Sequence, residues 1–132
     1  MVERSKDWMN QAEWDLSHTR SDIENGFYDW ACFSAQQAAE KAVKAVFQKL
    51  GAEGWGHSVA DLLNELPEQV KPSDHLIDEA LELDKAYISA RYPNAHPSGS
   101  PANRYTRKEA ERLAGYAEEI IKFCKDTLSK IH

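Results

Sequence analysis

The sequence predicts an all-α protein, an up-and-down helical bundle of four long helices plus one short helix. The stretch from Asp29 to Leu50 contains neither proline nor glycine and is rich in residues that favour helix. Apolar residues recur at the spacing of a helix face in this stretch and in the other predicted helices. Segments rich in glycine and proline separate these stretches, and such segments end helices.

The stretch Asp29–Leu50 is predicted to be the central helix, roughly 33 Å long at about 1.5 Å per residue. A surface helix normally has one apolar face, whereas this one has two stripes, so we expect neighbours on several sides. The stripes are Cys32, Ala39, Val43, Val46 and Leu50, and Ala31, Ala35, Ala38, Ala42 and Ala45. Its polar residues could line a cleft or only face solvent; they are Gln36, Gln37, Glu40, Lys41 and Lys44.

Capping residues and breakers set the other helix limits. The first helix should run over 6–25 and stop at Asn25-Gly26, a short helix should span 59–66, and the last two should cover about 74–91 and 106–131. A long irregular loop should follow Pro93. The expected N-terminal caps are Ser5, Asp29, Ser58, Ser73 and Thr106. The four tryptophans are expected to anchor the core, with Trp55 folding down from its glycine-rich loop.

Composition limits the functional classes. A chain of 132 residues predicts a single domain, residues 1–132. The net charge of −6 argues against broad coating of nucleic acid, although one local basic site stays compatible with it. The sequence contains no run of about 18 apolar residues, and its N-terminus has no apolar segment of the secretory type. We therefore expect no membrane span and a cytoplasmic protein.

Two cysteines, Cys32 and Cys124, fall on apolar faces of predicted helices. Free cysteine behaves as a small buried hydrophobe, and no CxxC motif or histidine-rich cluster accompanies this pair. Neither a phosphate-binding GxxxxGK[ST] loop nor a GxGxxG motif occurs. The sequence therefore predicts no metal site and no cofactor.

An ordered set of short motifs resembles small prokaryotic HEPN domains over most of the chain, from about Trp8 to Phe123. The motifs are Asp29-Trp30, Cys32-Phe33, Ala35-Gln36-Gln37-Ala38-Ala39-Glu40-Lys41, Lys44-Ala45, Gly51, His57-Ser58 and Ala90-Arg91-Tyr92-Pro93. The resemblance implies a helical bundle that forms a homodimer, often beside a minimal nucleotidyltransferase. The histidine at position 57 is common in this family, and we expect it to tie its loop to the bundle.

The resemblance also supplies catalytic candidates, because HEPN nucleases carry an arginine followed by four to six residues and a histidine. Arg91 and His96 fit this pattern with four residues between them. Metal-free RNA cleavage uses the 2′-hydroxyl as nucleophile, and histidine can move a proton near neutral pH. Arginine can hold the phosphate through two hydrogen bonds and stabilise the developing charge. Arg91 would also suit the C-terminal end of a helix on structural grounds alone.

Two positions depart from the nuclease pattern. The residue after the arginine is usually small and polar in these nucleases, and here it is Tyr92. Active toxin members often have a tyrosine two residues after the histidine, which a partner nucleotidyltransferase can modify, and here that position is Ser98. Both departures count against an active nuclease, and the serine also argues against control by modification at this position.

The candidate substrate-binding residues are Asn94, Arg104 and Lys108. Arg104 and Lys108 belong to a basic group with Arg107 and Arg112, which could guide RNA toward His96 or be a solvated face balanced by glutamates. Two functions follow from the resemblance. One is a metal-independent endoribonuclease, the toxin half of a HEPN/nucleotidyltransferase toxin–antitoxin pair. The alternative is a non-catalytic HEPN module that binds a nucleotide or docks a nucleotidyltransferase.

Overall fold

The computed structural model describes residues 2–131, and these residues form α-helices joined by turns and loops, with no strand among them. The all-α class predicted from the sequence is confirmed. The helices are α1 (Ser5–Glu24), α2 (Tyr28–Lys49), α3 (Val59–Asn64), α4 (Asp74–Asp84), α5 (Ala86–Ser89), α6 (Pro101–Arg104) and α7 (Arg107–Lys130). Short 3₁₀ turns lie at Glu68–Val70 and Pro93–Ala95.

Helix α2 lies at the centre of the bundle and packs against α1, α7, α3, α4 and α5. Both of its predicted apolar stripes are buried, apart from the half-buried Leu50 at its C-terminal end. The alanine stripe is fully covered, and a small side chain there allows a neighbouring helix to approach closely. The expectation of a helix covered from several sides is therefore correct.

The turn between α1 and α2 depends on Gly26, which has a φ of +81°. Residues with a side chain rarely adopt this left-handed conformation, so glycine suits the position. The Phe27 amide donates to the Asp22 carbonyl over 2.8 Å, which satisfies a carbonyl at the end of α1. The prediction that the first helix ends at Asn25-Gly26 is confirmed. Of these two residues only Gly26 has a positive φ.

Three of the five predicted caps are present. The side chains of Ser58, Ser73 and Thr106 each accept a backbone N–H three residues later, at the starts of α3, α4 and α7. The other two predictions are wrong. Ser5 is the first residue of α1 and its amide donates to the Glu3 carboxylate, while Asp29 lies inside the first turn of α2.

The fourth predicted helix, expected to continue to Arg91, is interrupted at Lys85 between α4 and α5. Lys85 keeps helical angles (φ −60°, ψ −27°), so α5 continues the path of α4. The loop after Pro93 is also more regular than predicted, because it contains a 3₁₀ turn and α6. Ser100 and Asn103 close a capping box at the start of α6, which orders this part of the loop.

Most tryptophans do not anchor the core, which contradicts the prediction. Trp14 and Trp55 are 72% and 79% exposed, and Trp30 is 49% exposed. Only Trp8 is partly buried against the core. Small and aliphatic side chains, chiefly alanine, valine and leucine, fill the interior instead.

Both cysteines are free thiols buried in the core, as predicted. Burial raises the pKa of the Cys32 thiol to about 12 and raises the pKa of the Cys124 thiol as well. Both thiols are therefore protonated at neutral pH in the folded protein, and the protonated thiol is not the nucleophilic form of cysteine. No helix within residues 2–131 combines the length and the apolar character that crossing a membrane requires.

Candidate functional site

The candidate site lies at the C-terminal end of α5, where the guanidinium of Arg91 is stacked among aromatic rings. Its central carbon lies 4.3 Å from the ring centre of Phe33, 4.8 Å from that of Tyr87 and 5.3 Å from that of Tyr92. A guanidinium over an aromatic face is held by electrostatic attraction and by its planar shape. The rings thus fix the plane in which Arg91 can bind a ligand.

Arg91 makes one hydrogen bond within the described residues, from its Nε to the Tyr87 carbonyl oxygen over 2.8 Å. In a continuing α-helix the Arg91 backbone amide would donate to the Tyr87 carbonyl, but here it donates to the Ile88 carbonyl. The Arg91 side chain therefore satisfies the Tyr87 carbonyl at the helix end. The two terminal amino groups have no hydrogen-bond partner among residues 2–131. They form the fork that binds phosphate or carboxylate oxygens in pairs.

His96 is anchored to the same helix end. Its Nε2 donates to the Ser89 carbonyl oxygen over 2.6 Å, and its ring meets the Tyr105 ring edge-on at 6.0 Å between ring centres. A carbonyl can only accept a hydrogen bond, so Nε2 must carry a proton. In the neutral ring, Nδ1 therefore keeps the lone pair that could accept a proton from a substrate.

Ser89 and Tyr105 form a support for His96 that the sequence did not reveal. Their hydroxyl groups are hydrogen-bonded to each other, which links α5 to the segment just before α7. Burial raises the pKa of Tyr105, so its hydroxyl stays neutral near neutral pH. Arg91 and His96 are thus tied to carbonyl groups only two residues apart, at Tyr87 and Ser89.

The three predicted substrate-binding residues lie in different settings. Asn94 is exposed within the 3₁₀ turn between Arg91 and His96. Arg104 is committed to its own loop, because its Nε and Nη2 donate to the Ser98 carbonyl and hydroxyl oxygens over 2.8 and 2.6 Å. Lys108 is exposed in the first turn of α7 and makes no ion pair within the described chain.

The remaining basic residues of this group are balanced by carboxylates. Arg107 pairs with Glu111 over 2.8 Å, and Arg112 pairs with Glu82 and Glu109 over 3.2 and 3.4 Å. These contacts favour the solvated, charge-balanced interpretation for Arg107 and Arg112. Within residues 2–131, Lys108 is the one cation of this group that makes neither an ion pair nor a hydrogen bond to its loop.

A polar cluster lies beside the site, and it corrects one expectation for α2. Gln36 and Glu40 are buried, so they neither line an open cleft nor face solvent. Gln36 donates to the His57 carbonyl over 2.7 Å, and Glu40 lies 3.3 Å from Nδ1 of His57. The His57 ring stacks on Tyr87 at 4.9 Å between ring centres. His57 therefore ties its loop to the bundle and supports the aromatic rings around Arg91.

Comparison with known proteins identifies the family. The family model described as "HEPN domain" matches residues 5–127. The chain belongs to the HEPN domain family. Among curated proteins, the HEPN chain is 26% identical over 138 residues to "Putative toxin MJ1304" of Methanocaldococcus jannaschii, covering 98% of this chain and 91% of that protein.

Three solved structures share the HEPN fold with high coverage. TT1696 from Thermus thermophilus has a TM-score of 0.93 and 45% identity over 96% of this chain and 99% of that one. A HEPN domain protein from Thermotoga maritima has a TM-score of 0.78 and 58% identity, covering 95% and 99%. An archaeal HEPN homologue, ST0689, has a TM-score of 0.82 and 37% identity, covering 96% and 99%.

Proposed function

We propose that this HEPN protein is a cytoplasmic, metal-independent RNA endonuclease and the toxin half of a pair with a minimal nucleotidyltransferase antitoxin. One observation supports the nuclease most strongly. Arg91 and His96 are anchored through one nitrogen each to the end of α5, which leaves the Arg91 amino groups and His96 Nδ1 for a ligand. The name of the Methanocaldococcus relative, "Putative toxin MJ1304", supports the toxin role.

The proposed reaction is an in-line transfer within the RNA chain. The 2′-hydroxyl oxygen bonds to the adjacent phosphorus while the bond from phosphorus to the 5′-oxygen breaks. One histidine takes the 2′-hydroxyl proton at Nδ1, and a protonated histidine gives a proton to the leaving 5′-oxygen. Arg91 stabilises the charge that accumulates on the non-bridging phosphate oxygens. The products are a 2′,3′-cyclic phosphate and a 5′-hydroxyl, and no metal ion takes part.

A base and an acid require two histidines, and a homodimer would supply one His96 from each protomer. Exposed apolar side chains around Arg91 support such an interface. Trp30 contacts Phe33 edge-on at 6.2 Å between ring centres, and Trp30, Ile88 and Tyr92 are 48–50% exposed. Aromatic residues are enriched at the centres of protein interfaces, and large exposed apolar patches mark such contacts.

The dimer is tested by light scattering after size exclusion. Trp30→Asp should yield monomers and remove cleavage, because a charge at the interface is not compensated there. Trp14→Asp is the matched control, since Trp14 is also an exposed tryptophan but belongs to α1 and makes none of the ring contacts around Arg91. A wild-type monomer, or equal effects of the two variants on assembly, would contradict the proposed dimer.

The nuclease is tested by RNA cleavage in EDTA with purified wild-type protein, Arg91→Ala and His96→Ala. Both variants should lose cleavage while keeping helical content and assembly state. His18→Ala is the control, because His18 is exposed on α1 and should not affect the reaction. Lys108→Ala and Asn94→Ala should weaken RNA binding with smaller losses in rate, whereas Arg104→Ala should act through loop order. Cleavage unaffected by Arg91→Ala and His96→Ala would refute the site.

A second candidate function is nucleotide binding without catalysis, and one cavity favours it. The cavity is open to solvent, has a volume of about 300 Å³, and lies beside the His57 loop. Indole rings could stack on a base there, and the Lys44 ammonium, which lies 3.1 Å from Glu40 Oε2, could exchange that carboxylate for a phosphate. Its lining includes Trp8, Lys44, Gln48, Glu53, Trp55 and His57.

This alternative is tested by titrating ATP and GTP while recording tryptophan fluorescence. Saturable quenching that Trp55→Ala and Lys44→Ala abolish, together with no RNA cleavage by the wild type, would favour the binding module. A wild-type protein that neither cleaves RNA nor binds nucleotides would leave docking of the nucleotidyltransferase as the function, which co-purification with that partner would test.

A further inference from the structure

A cluster of ionisable side chains lies at the other end of α4, far from Arg91. His75 and Glu79 are four residues apart on α4, and Glu119 comes from α7. Sixteen residues separate His75 from Arg91, which corresponds to about 24 Å along the helical path. The cluster is therefore separate from the proposed nuclease site.

The donor atoms of these three residues converge on one point. The Nε2 atom of His75 lies 3.6 Å from Oε2 of Glu79 and 3.9 Å from Oε2 of Glu119, and the three donor atoms all lie within 4.8 Å of one another. These separations are longer than hydrogen bonds. The first of them matches the roughly 3.3–3.6 Å between neighbouring ligands around a tetrahedral ion with bonds of about 2.0–2.2 Å, and a small rotation of the exposed Glu119 side chain would bring its oxygen as close.

The buried carboxylate of Glu79 points independently to a missing ligand. Glu79 is only 5% exposed, and its Oε1 atom has no hydrogen-bond partner among the described residues. A buried polar atom without a partner is costly, and such atoms in native proteins often mark an ion or water site. His75 and Glu119 are 76% and 56% exposed at their side chains, so an ion could reach Glu79 from solvent.

We propose that His75, Glu79 and Glu119 bind a divalent first-row transition-metal ion that joins α4 to α7. One imidazole and two carboxylates are ligands that Zn²⁺ accepts, and a water molecule would complete the tetrahedron. Coordination through Oε2 of Glu79 would hold α4 on α7, and the metal-bound water could donate a hydrogen bond to the unpartnered Oε1. The ion would stabilise the helix that continues into α5, and it takes no part in the proposed RNA cleavage.

The test is a calorimetric titration of EDTA-stripped, dialysed protein with ZnCl₂. One Zn²⁺ should bind per chain and raise the melting temperature by mass action. His75→Ala and Glu119→Gln should each weaken binding by more than about 10-fold, since losing even an outer-shell partner costs about 10–100-fold. Both side chains are largely exposed, so these variants should fold even if Glu79→Gln does not.

His18→Ala is the matched control. His18 is also exposed and faces a carboxylate four residues later, with 3.5 Å between its Nε2 and Asp22 Oδ1, but it belongs to no three-residue cluster in the described chain. Its substitution should leave Zn²⁺ affinity unchanged. Co²⁺ should give the visible bands of a tetrahedral ion in the wild type and lose them in His75→Ala. No binding to the wild type, or equal binding by His75→Ala and His18→Ala, would overturn the proposal.

Discussion

The Nε2 atom of His96 lies 2.6 Å from the carbonyl oxygen of Ser89 at the end of α5. Because this carbonyl accepts the Nε2 proton, the neutral imidazole has its lone pair on Nδ1. The contact serves two purposes in the proposed nuclease. It satisfies a carbonyl at the helix end, and it determines which nitrogen can exchange a proton with RNA.

Replacing His96 by glutamine should separate these two purposes. The glutamine amide can still donate to Ser89, so the free energy of unfolding should fall by less than about 1 kcal/mol. It cannot transfer the proton, so the cleavage rate should fall by about 10²–10⁴-fold. Urea denaturation and single-turnover cleavage measure the two effects. A variant that keeps nearly full cleavage would show that His96 is structural only.

Replacing Arg91 by lysine should lower cleavage although the charge is kept. Lysine loses the hydrogen bond to Tyr87, the stacking on Phe33 and Tyr87, and the paired donors toward phosphate. We expect the catalytic rate constant to fall by about 10²–10³-fold, as for the loss of other transition-state donors. Arg20→Lys on α1 is the control and should cleave normally. Equal rates for Arg91→Lys and wild type would argue that Arg91 supplies only charge.

Asp84→Ala should destabilise the fold through α3. The Asp84 carboxylate accepts the backbone amides of Val59 and Ala60 over 2.8 and 3.0 Å and the Ser58 hydroxyl over 2.8 Å. Loss of hydrogen bonds to a charged group should lower the free energy of unfolding by about 1.5–3 kcal/mol. Asp61→Ala, on the exposed face of the same helix, should change it far less. Similar losses in both variants would refute this role of Asp84.

Glu79 should make stability depend on pH. Burial, together with the nearby Glu119 carboxylate, raises the pKa of Glu79 from 4.5 to about 7. The folded state then binds more protons than the unfolded state between these values, so stability should fall as pH rises through this window. His75 also faces this carboxylate, so the comparison is between wild type and Glu79→Gln, in EDTA. Urea unfolding at several pH values should show a smaller decline in the variant, and parallel profiles would contradict the prediction.

Local chemistry made much of the fold predictable. The Ser58, Ser73 and Thr106 caps act within three residues, and the stripes of α2 follow the helical period, so both could be predicted from adjacent residues. The positions of the tryptophans could not. Whether Trp14 or Trp55 is buried depends on which surfaces the packed helices leave exposed to solvent. A large apolar side chain can occur both in the core and on the surface, so its identity alone does not decide this.

The candidate site was predictable only in part, for a similar reason. The motif gave Arg91 and His96, but the rings of Phe33 and Tyr87 and the support from Tyr105 come from other parts of the chain. Asp84 and Glu119 likewise contact residues far away in sequence, at α3 and α4. Contacts between residues so far apart in sequence leave no short sequence motif from which they could be predicted. The pattern of polar and apolar residues also does not show whether a polar residue such as Gln36 is buried or exposed.

The most direct test of the proposed nuclease is the chemistry of the RNA ends that it leaves in EDTA. Cleavage through the 2′-hydroxyl should leave a 2′,3′-cyclic phosphate and a 5′-hydroxyl, and His96→Gln and Arg91→Lys should produce both ends at strongly reduced rates. Mass spectrometry of a defined oligonucleotide identifies the ends. Fragments with a 5′-phosphate and a 3′-hydroxyl, or no cleavage of diverse RNAs by the wild-type protein, would contradict the account.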